Sequence, residues 1–140
     1  MNRITIRIRH VAAALVLVAL SACGESSIFG PDNQLQVTNI ADDFHLQAQA
    51  IADQSGTETY QWEVSTTTAS VSHAHAALTA GSATLTILDA DGAEVYSAPL
   101  SDASNGDAVT AEGTVGTWTV TVTLNGATTD HINFQLADVP

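Results

Sequence analysis

The sequence predicts an all-β fold, an antiparallel two-sheet β-sandwich of the jelly-roll or immunoglobulin-like kind, over residues 34–140. Apolar and polar residues alternate with period two along most of this stretch, which is typical of strands with one solvated face. Turn-forming residues interrupt the alternation at short intervals, and no segment has the period of an amphipathic helix. The spacing of the turns predicts about eight or nine short strands.

The first part of the chain is basic and then apolar. Arg3, Arg7 and Arg9 are the only Lys or Arg residues, and an apolar run follows over residues 11–20. Small residues come next, up to Cys23. This order is typical of a secretory signal peptide over residues 1–22, and the apolar run is shorter than the roughly 20 residues of a spanning helix.

The four residues Leu20-Ser21-Ala22-Cys23 resemble the lipobox of bacterial lipoproteins. The resemblance implies that the Cys23 thiol carries diacylglycerol and becomes the mature N-terminus, so that lipid holds the protein on a membrane of the cell envelope. In the family an Asp after the cysteine often causes retention at the inner membrane; Gly24 therefore favours the outer membrane or cell surface. The alternative is an ordinary signal peptide with an incidental cysteine.

Residues 23–33 are small, polar and interrupted by Gly30-Pro31, which predicts a flexible tether between the lipid and the domain. All fifteen Asp and Glu residues follow Cys23, and no Lys or Arg balances them. Such a surface excludes nucleic acid and anionic substrates, and it leaves cations and neutral ligands. Solubility or a saline habitat is the preferred explanation of the acidity. The alternative is calcium binding, but Asp89 and Asp91 lack the further ligands of an EF-hand.

The strongest alternation marks three strands of the predicted sandwich. Each has one apolar face directed inward and one polar face directed outward. The inward sets are Phe44, Leu46, Ala48 and Ala50; Tyr60, Trp62 and Val64; and Trp118, Val120, Val122 and Leu124.

Two turns are predicted from glycines. Leu124-Asn125-Gly126 precedes the apolar set Ile132, Phe134 and Leu136, whose equal parity predicts a hairpin with a three-residue loop and left-handed Gly126. The stretch LDADGAEV predicts a second hairpin, in which Gly92 adopts positive φ and Val95 points inward.

The segments SATLTILDADGAEVYSAPL and GTVGTWTVTVTLNG resemble the bacterial pre-peptidase C-terminal type of domain, in which an Asp-Gly hairpin precedes a Gly-Thr-aromatic strand. The resemblance covers roughly residues 60–126. It implies a jelly-roll-like sandwich with an accessory or binding role, and it carries over no catalytic residue.

No catalytic motif occurs in the chain, neither a Gly-x-Ser-x-Gly elbow nor a Gly-rich phosphate loop, so an enzyme is not expected. His73 and His75 form the one candidate site. On a strand their imidazoles project from the same face about 7 Å apart, the spacing of His-x-His metal sites for zinc or copper. A third ligand could come from His45, His131 or a carboxylate. The alternative is an exposed or half-buried pair without a metal.

The sequence therefore predicts a non-catalytic, lipid-anchored envelope protein with a binding, adhesion or structural role, whose protein or glycan partner is unknown. The first alternative is a zinc- or copper-binding lipoprotein that uses His73 and His75. The second is a carbohydrate-binding module, for which Trp62 and Trp118 would supply stacking platforms; their inward parity favours core packing instead.

Overall fold

The structure is a computed structural model, and it describes residues 27–139. The predicted signal peptide, Cys23 and the first residues of the predicted tether lie outside this range. The described chain is almost entirely antiparallel strand, which confirms the all-β class and is consistent with a sandwich. Its seven strands are β1 Gln36–Ile40, β2 Asp43–Val64, β3 Ala69–His73, β4 Ala80–Leu88, β5 Glu94–Pro99, β6 Gly106–Val109 and β7 Gly116–Asp138.

The helical content of residues 27–139 is two 3-10 turns, Pro31–Asn33 and Asp102–Ser104. Within this range no helix combines the length and the apolar character needed to cross a membrane.

The long strands β2 and β7 belong to both layers of the sandwich. They pair antiparallel from Asp43 opposite Ala137 to Val64 opposite Gly116, with register shifts between Ile51 and Gly56. The first half of β2 and the second half of β7 lie beside β1, β3 and β6, whereas the other halves lie beside β4 and β5. If each half of the long strands is counted separately, the sandwich has about nine strand segments, as the turn spacing predicts.

This path gives the molecule two ends. We call the region where β2 and β7 pass between layers, residues 51–56 and 124–129, the bend end. The opposite end carries the turns at residues 41–42, 65–68, 89–93 and 110–115, and we call it the loop end.

The core lies between the two layers and is centred on four aromatic rings. Trp62 and Trp118 are fully buried and meet edge to face at 6.0 Å between ring centroids. Phe44 stacks on Phe134 at 5.9 Å and also contacts Tyr60 at 5.4 Å, across the bend of β2. The inward residues of the predicted strands are buried as expected, with two exceptions: Tyr60 is half-buried and Ala50 is exposed.

The predicted hairpin at Leu124-Asn125-Gly126 is wrong, because β7 continues through it. Gly126 has the predicted left-handed conformation, with φ 57°, but uses it in a bulge. Ala50 and Asp53 of β2 also have positive φ, at 50° each, so both strands bend together. A left-handed residue fits either a hairpin loop or a bulge. Here it forms a bulge, because β2 and β4 both pair with β7 on either side of Gly126.

The predicted tether also needs correction over residues 28–33. The segment Ser27–Asn33, which we call the strap, packs across the bend end instead of hanging free. Phe29 and Asn33 are buried, and the Asn33 Nδ2 donates to the carbonyls of Gln49 and Ala50 at 3.1 and 3.0 Å. The Ile28 backbone N–H donates to Glu58 at 3.1 Å. The buried ring of Phe29 and the hydrogen-bonded amide of Asn33 dock this short segment, although its composition alone predicts a tether.

The second predicted hairpin is confirmed. The turn between β4 and β5 spans residues 89–93, Gly92 has φ 82°, and Val95 is buried. The carboxylate of Asp89 shapes this turn by accepting the backbone N–H groups of Asp91, Ala93 and Thr114 at 2.8 to 3.0 Å. These hydrogen bonds, first of all that from Thr114, lower the pKa of Asp89. Both of its oxygens are thus occupied by the protein itself.

Candidate functional site

The candidate site contains His73 and His75, which the sequence singled out. Alternate residues of β3 point inward, and the alternation continues past its end, so that Val71, His73 and His75 share the buried face. His73 is 5% exposed and His75 is 3% exposed. The prediction that both imidazoles share a face is confirmed. The alternative of an exposed pair is wrong, because both side chains are buried.

The two imidazoles form a directional chain of hydrogen bonds. The backbone N–H of Asn133 donates to His75 Nδ1 at 3.0 Å, so in the neutral ring the hydrogen of His75 is on Nε2. This Nε2 lies 2.7 Å from His73 Nδ1 and donates to it. The hydrogen of His73 is then on Nε2, which lies 2.7 Å from the hydroxyl of Tyr96. One backbone N–H on β7 thereby fixes the tautomers of both histidines. We call Asn133, His75, His73 and Tyr96 the histidine chain.

Two asparagines hold this chain in place. The side chain of Asn105 binds the backbone of His75 twice, accepting from its N–H at 2.6 Å and donating to its carbonyl at 2.9 Å. Asn133 accepts the Ala74 N–H with its backbone carbonyl at 2.9 Å. Its side-chain oxygen accepts from His45 Nε2, also at 2.9 Å. The chain after β3 is thus held to β7 by the backbone hydrogen bond from Ala74 to Asn133, and to the connection before β6 by the side chain of Asn105.

Burial keeps both histidines neutral. Burial is the main cause that lowers the pKa of His75 from 6.5 to about 4, and the neighbouring His73 and His131 lower it further. Burial also lowers the pKa of His73. The geometry acts in the same direction, because the nitrogen of each ring that could take up a proton already accepts a hydrogen bond. Protonation of either ring must break a bond of the histidine chain.

The four histidines of the described chain lie in one region, but on different faces. His131 is exposed and close enough to influence His75, whereas His45 lies on the outer face and reaches Asn133. Within residues 27–139 no three His, Cys, Asp or Glu side chains converge in a way that could hold a metal ion. The structure thus brings His73 and His75 into contact. His45 and His131, the candidate third ligands, lie away from the two nitrogens that join this pair.

Tyr96, Asn105 and Asn133 are not among the residues that the sequence pattern indicates. The inward parity of Val95 placed Tyr96 on the outer face of β5. A bulge in the β4–β5 pairing puts Tyr96 directly opposite the inward Ile87, so Tyr96 also turns towards the core. No local signal marks Asn105, which lies in the connection after the second 3-10 turn and reaches His75 through the tertiary fold.

The other candidate groups are structural. Trp62 and Trp118 are fully buried, so they offer no stacking surface to a sugar, and the carbohydrate alternative loses the observation on which it depended. The Tyr60 hydroxyl is buried without a hydrogen-bond partner among the described residues. Burial, and secondly the charge of Glu58, raise the pKa of Tyr60 to about 12, so this phenol stays protonated at neutral pH.

Two shallow grooves on the surface of residues 27–139 do not include the histidine chain. One of about 450 Å³ follows the outer face of β3 and β6, from Ser70 and Ser72 to Val109. The other, of about 300 Å³, lies at the loop end between Asp42, Glu63 and the half-exposed Val115.

The chain matches no family model and no curated protein sequence. The resemblance to pre-peptidase C-terminal domains, and the lipobox, therefore stay predictions from the residues themselves.

Proposed function

We propose that this protein is a lipid-anchored, non-catalytic module of the bacterial cell envelope, attached through Cys23, with a binding, adhesion or structural role. One observation carries the proposal: the folded domain begins almost at once after the lipobox. Phe29 of the strap is buried against the core of the domain. The three Arg residues and the apolar run of residues 11–20 precede Cys23, and the acidic domain follows it.

The test of the anchor is the chemistry of the mature N-terminus. We expect the full chain expressed in a bacterial host to partition into detergent, and the mature protein to begin at Cys23 with a diacylglyceryl thioether detectable by mass spectrometry. Cys23→Ser should remain unprocessed at this position, whereas Ser21→Ala, a matched change two residues away, should be processed normally. A free thiol on Cys23, or cleavage elsewhere, would contradict the proposal.

A second candidate function is zinc or copper binding, favoured by the direct contact of two imidazoles that burial keeps neutral. Neutral imidazole is the form that binds these metals. Two nitrogens that ligate one tetrahedral ion at about 2.0–2.1 Å are more than 3 Å apart. His73 Nδ1 and His75 Nε2, now 2.7 Å apart, would have to separate and exchange their hydrogen bond for the metal.

Calorimetric titration with zinc and copper(II) tests this candidate. A real site should bind one ion per chain at neutral pH, and the variant with His73→Ala and His75→Ala should lose that binding. The matched control is the variant with His45→Ala and His131→Ala, which removes the same number of imidazoles from the partly or fully exposed positions. Equal binding by the first variant and the parent would assign the metal to scattered carboxylates.

A further inference from the structure

We propose that the sandwich stands on the membrane with its bend end towards the lipid and its loop end outward, held there by the docked strap and by the distribution of its negative charge. This orientation rests on the proposed lipid anchor at Cys23. It identifies the bend end as the surface that faces the bilayer, and the loop end as the surface presented to the surroundings.

The strap attaches to the domain at the bend end. Ile28 binds Glu58 and packs against Gly56, and Asn33 binds the carbonyls of Gln49 and Ala50. All of these contacts are at or next to the bend, so the chain leaves the domain at that end.

The link between the lipidated Cys23 and the strap is short. From Cys23 to Ser27 the chain spans at most about 15 Å, even when fully extended. The half-strand of residues 43–51, which runs from the loop end to the bend end, is about 27 Å long. A lipid at Cys23 therefore keeps the bend end near the bilayer, because the link is shorter than the domain.

The distribution of negative charge decides whether the domain lies flat on the membrane or stands on it. Among the described residues, five acidic ones lie at or beside the bend end: Asp32, Asp53, Glu58, Asp102 and Asp130. Eight lie at the loop end: Asp42, Asp43, Glu63, Asp89, Asp91, Glu94, Glu112 and Asp138. No Lys or Arg offsets them. An anionic bilayer repels the loop end more strongly than the bend end within about 10 Å of its surface, and this difference tips the loop end away.

Energy transfer to a labelled bilayer measures the orientation. The full lipidated protein is reconstituted into vesicles of phosphatidylcholine and phosphatidylglycerol that carry an acceptor dye on their headgroups. A donor dye is attached to Ala52→Cys at the bend end or to Ala90→Cys at the loop end. Both positions are exposed, and lipidation leaves no thiol on Cys23 to compete.

We expect several-fold stronger transfer from position 52 than from position 90. Insertion of about 20 Gly and Ser residues between residues 26 and 27 should abolish most of this difference, because the link from Cys23 to the strap is then long enough for the domain to turn. Vesicles of phosphatidylcholine alone should reduce the difference, because the domain is then free to tilt. Equal or reversed transfer in the parent would overturn the orientation, and a difference indifferent to headgroup charge would overturn the charge argument.

Failure of the lipid anchor gives a separate result, a protein that stays out of the vesicles. In that case a hexahistidine tag replaces residues 18–23. Nickel-chelating lipid in the same vesicles binds the tag and so holds the chain at the position of Cys23. The same pair of labelled positions then decides the orientation independently of lipidation.

Discussion

Single residues decide whether the histidine pair is a surface feature or part of the interior. Sequence alternation placed His73 and His75 on one face of a strand, and the tertiary fold makes that face the buried one. The partners were not predictable, because Tyr96 depends on a bulge in β5 and Asn105 on a connection with no regular pattern. Parity arguments hold only between bulges.

The histidine chain should make folding sensitive to acid. The folded-state pKa of His75, about 4, lies below its unfolded value of 6.5, so the unfolded chain binds more protons in this interval. The stability that neutral His75 contributes is complete above pH 6.5 and is lost as the pH falls towards 4. This contribution of His75 to the free energy of unfolding should be about 2 kcal/mol at most, because water near the surface screens part of it.

Urea unfolding of the parent and of His75→Gln, followed by tryptophan fluorescence, tests this. At neutral pH the variant should be less stable by about 1–3 kcal/mol, because Asn133 N–H and His73 Nδ1 lose their partner. The difference should narrow as the pH is lowered to about 4. His131→Gln, at an exposed position, should change stability by less than about 0.5 kcal/mol. A difference for His75→Gln that stays constant with pH would contradict the mechanism.

At the level of elements, the strands were predictable and their ends were not. Inward residues such as Phe44, Trp62 and Trp118 follow from period-two alternation, which is a local property. The continuity of β7 through Gly126 is not local, because it depends on β2 and β4 pairing on either side of the bulge. The docking of the strap likewise depends on carbonyls that the bend of β2 leaves free for Asn33.

The bend should be sensitive to added atoms at Gly81. Gly81 has φ 70°, and a Cβ on it would collide with the backbone carbonyl of Gly126. Gly92 has φ 82° but open space around it, so it is the matched control. Gly92→Ala should cost about 1 kcal/mol from its left-handed conformation alone. Gly81→Ala should cost about 2 kcal/mol more, since backbone must move.

Chemical denaturation of both glycine variants and the parent gives these values directly. Equal destabilisation would mean that the close approach of β4 to the bulge contributes nothing, and that both glycines matter through φ alone.

At the scale of the whole molecule, the absence of Lys and Arg after Arg9 dominates the electrostatics. The carboxylates of the folded domain repel one another, and unfolding relieves this repulsion by moving them apart. Dissolved salt screens it, with a Debye length of about 10 Å at 0.1 M and shorter at higher concentration. Stability should thus depend on ionic strength.

The melting temperature of residues 24–140 at neutral pH should therefore rise by several degrees between low salt and about 0.5 M NaCl. Glu112→Lys, at an exposed position of the loop end, should raise the melting temperature in low salt and weaken its response to NaCl. Sucrose serves as a control for effects that do not depend on charge. A melting temperature that ignores NaCl would show that the repulsion is unimportant.

The shared strands β2 and β7 also determine when the protein can fold. Phe44 near the start of the domain pairs beside Leu136 near its end, and both layers contain a half of β7. Neither layer can be completed before the last strand has been synthesised. Such long-range pairing slows folding, and it leaves the preceding chain without a closed core in the meantime. Folding of this domain therefore has to wait for the last strand.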